Sequence, residues 1–374
     1  MESKTCLIYN YAQHYRLGVF KLMDKEMDID FYFGDKMADV KKLDYNELSG
    51  FKQELKNVKL LSNFYWQRGV ISLFFKKYRT YLMLGEYYCL STWIILLFSK
   101  FSSKRVYLWS HGWYGKETRV VSFIKRIFFK MADGVFLYGD YAKRLMLEEG
   151  FNQDKLHVIY NSLNYEEQIL IRYSLKSSDI YKDYFGNNDP IVIFIGRLTK
   201  IKKLHLILKA QKQLLDIGRP FNLVIIGDGD ERNSLHEEVV TFGLGDFVWF
   251  VGKLYDEKMI AEYVYNADLC VSPGNVGLTA MHTLMYGTPV ITHDNFTMQM
   301  PEFESIQSYV TGDFFTEGNV DDLALKIKQW LERNEGREII RKNCYEIIDR
   351  FYNPSYQTLV IKGVIGDKSK VSNL

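Results

Sequence analysis

Two cations and a glycine-led turn are the residues whose types and spacing could do chemistry. Arg197 and Lys202 lie just past Ile191 to Ile195, an apolar run that reads as a buried strand. At the carboxyl edge of a parallel sheet such a pair would face an anion. Arg offers a planar fork to two phosphate oxygens, and Lys a point charge. Lys200 and Lys203 crowd beside them and read as solvated surface, and a plain basic turn is the competing description of the cluster. The stretch Ser272 to Asn295 supplies the second feature. A strand candidate, Leu269 to Val271, leads into a turn at Pro273 and Gly274, a helical pattern from about Gly277 to Tyr286, and a short strand from Pro289 to Thr292. Gly277, Leu278 and Thr279 would form the first helical turn. Their open N–H groups and the positive end of the helix dipole suit phosphate oxygens, with the Thr279 hydroxyl added. An ordinary tight turn into a core helix is the alternative.

The elements that must hold these residues alternate. Thr5 to Tyr9 reads as a first strand, followed by a loop carrying Arg16 and a helix with Val19, Phe20, Leu22 and Met23. Asp28 to Phe33, Val58 to Leu61, Thr80 to Gly85, Arg105 to Ser110, Gly134 to Tyr138 and Lys155 to Tyr160 read as further strands, with an apolar helix from Tyr87 to Phe98. His111 directly follows one of these strands. Between Tyr165 and Pro190 the pattern becomes polar and charged, the best place for a linker. Alternation then restarts with Ile191 to Ile195, Asn222 to Ile226 and Phe247 to Val251, which end near Gly227 and the Gly252-Lys253-Leu254 turn. Helical patterns at Val320 to Arg333 and Arg337 to Tyr352 follow, the last broken by Pro354. Strand and helix in this rhythm predict an α/β chain with doubly wound parallel sheets. The expected division is a first domain at 1–165, a linker at 166–189, a second domain at 190–345, and a final helix and tail at 346–374.

The whole chain bounds the answer. Its 374 residues give material for two cores, and a formal net charge of +2 gives no case for nucleic acid. Cys6, Cys89, Cys270 and Cys344 show no paired spacing, which fits a reducing compartment. The first residues run straight into a strand candidate, so a secretory signal is not expected. The run Tyr87 to Phe98 is too short to span a membrane.

Taken together the pieces resemble a retaining glycosyltransferase of the GT-B fold, family 4 (glycosyl transferases group 1). The likeness rests on Phe194-Ile-Gly-Arg-Leu198 with Lys202, Leu223-Val-Ile-Ile-Gly-Asp-Gly229, Val248-Trp-Phe-Val-Gly252, Tyr263 to Asp268, Ser272-Pro273 and Met285-Tyr-Gly-Thr-Pro-Val-Ile291. The N-terminal half adds Trp109-Ser-His-Gly112 and Val158-Ile-Tyr-Asn161. The resemblance implies two Rossmann-like domains facing across a cleft, the second holding a nucleotide-sugar and the first an acceptor, with a last helix crossing back.

It also implies roles. Arg197 and Lys202 would neutralise the donor diphosphate. His111 would lie near the transferring sugar, and Arg16 would meet the acceptor or the diphosphate. Backbone groups at Gly227, Lys253 and Leu254 would border the nucleobase. The family carries two glutamates in the Ser272 stretch, and their positions are Gly274 and His282 here. Asn275 beside the first could bond sugar hydroxyls, and His282 could take one ribose bond where a glutamate takes two. The stretch His293-Asp294-Asn295, through Asp294, or Glu302 could restore a carboxylate. No metal and no cofactor are expected, because fixed cations would stabilise the leaving phosphate. The implied partners are a nucleotide-sugar donor and a glycan or lipid-linked acceptor in bacterial surface polysaccharide assembly. Phe74 to Arg79 and Ser122 to Lys130 mix bases with large apolar groups and could rest on an anionic membrane surface, placing the enzyme in the cytoplasm or on the inner face of the plasma membrane. A nucleotide-sugar epimerase and a catalytically silent nucleotide-sugar-binding protein are the alternatives.

Overall fold

A computed structural model describes residues 4–36 and 41–366. The chain divides into two compact units, one of residues 1–165 with 351–374 and one of residues 166–350. In the first, β1 (Thr5–Tyr9), β2 (Ile29–Gly34) and β3 (Phe51–Leu55) precede a small antiparallel hairpin of β4 (Asn57–Lys59) and β5 (Tyr65–Gln67). Then come β6 (Thr80–Leu84), β7 (Arg105–Ser110), β8 (Gly134–Leu137) and β9 (Leu156–Val158). Among the described residues the main sheet is parallel, in the order β3-β2-β1-β6-β7-β8-β9. Successive residues of β1 serve opposite layers. Cys6 and Ile8 pack into one core, and Leu7 and Tyr9 into the other.

The second unit repeats the plan with β10 (Ile191–Ile195), β11 (Asn222–Ile226), β12 (Val248–Gly252), β13 (Leu269–Ser272), β14 (Val290–His293) and β15 (Gly312–Phe315). Its order is β12-β11-β10-β13-β14-β15, again parallel. Val192, Phe194, Leu223 and Ile225 share a core with Leu206, Ile207, Ala210 and Leu214 of the helix His205–Asp216. In each sheet the strand order reverses once, between β1 and β6 and between β10 and β13. Loops diverge at such a switch point and leave a crevice at the carboxyl edge.

The structure corrects the sequence reading in three places. Residues 166–189 are no plain linker: the helices Tyr165–Ser174 and Ile180–Phe185 occupy them, and 166 onward belongs to the second unit. Two of their polar residues are buried and paired: Gln168 donates to Glu257 at 2.8 Å, and the Arg172 guanidinium forks onto Asp349 at 3.0 and 2.8 Å. The strand expected at Val58 to Leu61 is a hairpin arm outside the sheet. The sheet's edge is instead β3, whose Lys52, Gln53 and Glu54 are exposed, as an unpaired edge requires. Finally, the helix Arg337–Phe351 stays almost wholly with the second unit, and only Pro354–Ile365, capped by Asn353, packs in the first against Leu17–Glu26. The expected tail at 367–374 lies outside the described residues. No described helix is long and apolar enough to cross a membrane.

Candidate functional site

In the second unit the switch point gathers the expected donor residues. Arg197 sits in the loop after β10, exposed, and among the described residues its guanidinium has no partner. Lys202 ends the short turn Lys200–Lys202, and its Nζ donates to the carbonyl of Asn275 at 2.6 Å. Burial pushes its ammonium down to about 8, against the pull of Glu302. It therefore stays mostly charged at neutral pH. Gly277 caps the helix Leu278–Met285 with φ +53. As the first turn, Gly277, Leu278 and Thr279 have no carbonyl one turn earlier to receive their N–H groups. The Thr279 hydroxyl departs from expectation: it donates to the Ile195 carbonyl at 3.0 Å, so it ties the helix to β10 and has no proton left for a phosphate.

The two positions without glutamate have different causes. A Cβ at Gly274 would lie 1.9 Å from the Ile201 carbonyl oxygen and 2.7 Å from Lys202 Cα. No side chain fits there while the 200–202 turn holds its place. The Asn275 side chain is half-buried, and among the described residues its Oδ1 has no hydrogen-bond partner. His282, by contrast, is held by a carboxylate. Its Nε2 lies 2.8 Å from Oε1 of Glu257, which also accepts from Tyr286 Oη at 2.6 Å and Gln168 Nε2 at 2.8 Å. Burial raises the Glu257 carboxyl, but the bonds from His282, Tyr286 and Gln168 outweigh it and hold it down at about 2. As the donor to this anion, His282 carries a proton on Nε2.

The stretch His293-Asp294-Asn295 and Glu302 go elsewhere. His293 Nδ1 accepts from the Asn295 N–H at 3.2 Å, Asp294 accepts from the Glu317 N–H at 3.1 Å, and Asn295 donates to Glu317 at 2.6 Å. That network closes the loop on itself. Glu302 is buried beside Lys202 and acts on it through charge. Gly227 is where a Cβ would meet the Gly196 carbonyl at 1.8 Å, so it lets the ends of β11 and β10 close up. Lys253 is exposed and 3.7 Å from Asp228, next to half-buried Leu254.

In the first unit His111 follows β7, its ring 4.6 Å from that of Tyr138. Burial, then Arg16 and Lys125, push its imidazole down to about 4, so it is neutral at pH 7. Arg16 is buried and its Nη2 donates to Tyr138 Oη at 2.7 Å.

Sequence reasoning missed two carboxylates. Glu257 opens a helix capped by Asp256, which accepts from the Met259 N–H, a capping pattern readable in the sequence; its contact with His282 was not. Glu86 follows β6 at the first unit's switch point and accepts from Asn10 Nδ2 at 3.1 Å and Tyr65 Oη at 2.6 Å. Burial raises it above the usual carboxylate range. Its signal was Gly85-Glu86 at the end of a buried strand.

Residues 179–347 match the family model for glycosyl transferases group 1. An uncharacterized glycosyltransferase of Methanocaldococcus jannaschii is 28% identical over 210 residues, covering 52% of this chain and 50% of that protein. An uncharacterized 41.2 kDa protein in the cps region of Klebsiella pneumoniae is 24% identical over 192 residues, covering 50% and 49%. The chain thus spans about half the length of these curated relatives. Among solved structures, Anabaena HepE in complex with UDP aligns with a TM-score of 0.72 at 15% identity, over 96% of this chain and 99% of that one. The two parallel-sheet units make up the GT-B fold.

Proposed function

We propose, taking residues 179–347 as a glycosyl transferases group 1 domain, that the chain moves a sugar from a nucleotide-sugar to a glycan or lipid-linked acceptor. One observation carries this reading: an unpartnered Arg197, a tethered Lys202 and an open helix N-terminus meet at a single sheet switch point. Breaking the anomeric bond puts charge on the leaving phosphate. Fixed cations and aligned N–H groups stabilise that charge more than the ground state. The Asn275 carbonyl fixes the Lys202 ammonium, so little reorganisation is needed as charge develops. Transfer proceeds with retention: the leaving phosphate assists deprotonation of the acceptor on the same face, and no protein nucleophile is required. The cations make a metal unnecessary. Neutral His111 serves as a hydrogen-bonding group to the sugar and not as a cation.

UDP in the HepE complex makes a uridine nucleotide the first donor base to try. The setting proposed is bacterial surface polysaccharide assembly at the inner membrane face. Its support is the helix Arg119–Lys130, where Val120, Phe123 and Ile127 form one exposed stripe flanked by Arg119, Arg126 and Lys130. The Phe74 to Arg79 stretch contributes less, since Phe74 is buried and Phe75 alone of its rings is largely exposed.

A panel of UDP-, GDP-, dTDP- and CMP-sugars screened by thermal shift, followed by turnover of the stabilising donor, tests the reading. Binding with turnover that Arg197→Ala removes is the expected result. The empty Gly274 position favours one second reading, a nucleotide-sugar binder without catalysis. Donor binding with neither hydrolysis nor transfer would select it.

A further inference from the structure

Arg16 is a cation that sugar transfer as described leaves unused. It ends the turn His14–Arg16 after β1 and is 6% exposed. Its guanidinium carbon lies 5.3 to 5.7 Å from the rings of Tyr9, Tyr15, Trp109 and Tyr138. These faces offset part of the loss of water. Among the described residues only Nη2 has a hydrogen-bond partner, Tyr138, and Nε and Nη1 are buried with none. Among the described residues no carboxylate pairs with it. Lys125, the other cation nearby, is taken up by Glu117 and the Gly112 carbonyl, both at 2.6 Å.

Two neighbours share the condition. Among the described residues Trp109 Nε1, which can only donate, and His111 Nδ1 are also buried without a partner. Buried donors are nearly always bonded, and a buried charge is costly unless countered. Several unmet donors around one unpaired guanidinium therefore lack an acceptor that carries negative charge. The Arg fork matches a phosphate or a carboxylate.

We propose that Arg16, with Trp109 Nε1, binds an oxyanion carried by the acceptor, a phosphate ester or a carboxylate. Assigning the anion to the acceptor rests on the reading that the second unit holds the donor, where Arg197 and Lys202 already serve the diphosphate. Tyr15, the half-buried ring of the cage, is the side chain whose displacement admits the ligand. The acceptor is then an acidic glycan or a phosphate-linked one, and neutral glycosides are poor substitutes.

Isothermal titration calorimetry on the full chain tests this with inorganic phosphate and acetate, each with and without a saturating nucleoside diphosphate. Saturable binding of one anion is expected, unaffected by the nucleotide, weakened roughly 10- to 100-fold in Arg16→Gln, the worth of a hydrogen bond to a charged group. The preferred anion tells phosphate from carboxylate. Arg16→Lys keeps the charge without the fork and should fall between the two; if Arg16→Gln does not fold, a weakened Arg16→Lys supports the site and an unchanged one overturns it. No saturable binding to the wild type, or equal binding to Arg16→Gln, also overturns it. Competition by the nucleotide would reassign Arg16 to the donor diphosphate and equally end the proposal. Failure of every nucleoside diphosphate to bind would instead sink the donor reading, while the phosphate and acetate arms still decide whether Arg16 is an anion site.

Discussion

Glu257→Gln keeps the shape of the side chain and removes its charge, which makes it the sharpest probe of the cluster that holds His282. All three bonds to Glu257 end on Oε1, from His282, Tyr286 and Gln168. They hold a carboxyl of ordinary value 4.5 at about 2. At about 1.4 kcal/mol per pH unit that is about 3 kcal/mol of stability. The side chain keeps 24% of its surface in water, so screening reduces the figure to about 2 kcal/mol. For a unit the size of residues 166–350, each kcal/mol moves the melting temperature by about 2–4 °C, so a loss of about 4–8 °C is expected at pH 7. The sign with pH follows from a depressed value. The stabilisation is complete above 4.5 and disappears as pH falls toward 2, because the unfolded chain takes up the proton first. Thermal melts of both proteins from pH 7 down to pH 3 should show a gap that is constant to about pH 5 and then narrows. Equal melting temperatures at pH 7, or a gap indifferent to pH, would refute the assignment of Glu257 as the charged anchor of His282.

In the proposed transfer Lys202 must be protonated to hold charge against the leaving phosphate, and its ammonium is pushed down to about 8. The turnover rate should therefore fall as pH rises through about 8, while Lys202→Arg flattens that limb and Lys202→Met lowers kcat by roughly 100- to 1,000-fold with a smaller change in KM. Gly274→Ala forces a Cβ to within 1.9 Å of the Ile201 carbonyl and should cost about 3 kcal/mol in denaturant unfolding. The double substitution Phe123→Glu with Ile127→Glu places charge on the exposed stripe of Arg119–Lys130. It should abolish flotation with anionic vesicles and leave transfer to a water-soluble acceptor unchanged.

What the sequence disclosed, it disclosed for physical reasons. Strands such as β10 and β11 are buried on both faces, so they appear as unbroken apolar runs, and the loops that end them carry Arg197 and Gly227 at readable positions. The edge strand β3 was hidden because an exposed edge carries Lys52, Gln53 and Glu54, the composition of a loop. Residues 166–189 were hidden for the opposite reason: Gln168 and Arg172 are polar in sequence yet buried, each satisfied by a carboxylate far along the chain. A pattern of types cannot announce a partner that arrives from another element.

The same limit explains the departures in the Ser272 stretch. That Gly274 and His282 lack carboxylates is plain from their identity; what replaces them depends on approach in space. At 282 the imidazole is held by the carboxylate of Glu257, which keeps negative charge beside it. At 274 nothing substitutes, because the Ile201 carbonyl fills the space. That close approach also brings the Gly274 N–H to the Lys202 carbonyl at 3.0 Å and the Lys202 ammonium to the Asn275 carbonyl at 2.6 Å. The exclusion of a side chain at 274 and the fixing of the Lys202 ammonium are thus consequences of one packing arrangement. A side chain at 274 should disturb Lys202 even where the fold survives, and Gly274→Ala should lower kcat together with stability.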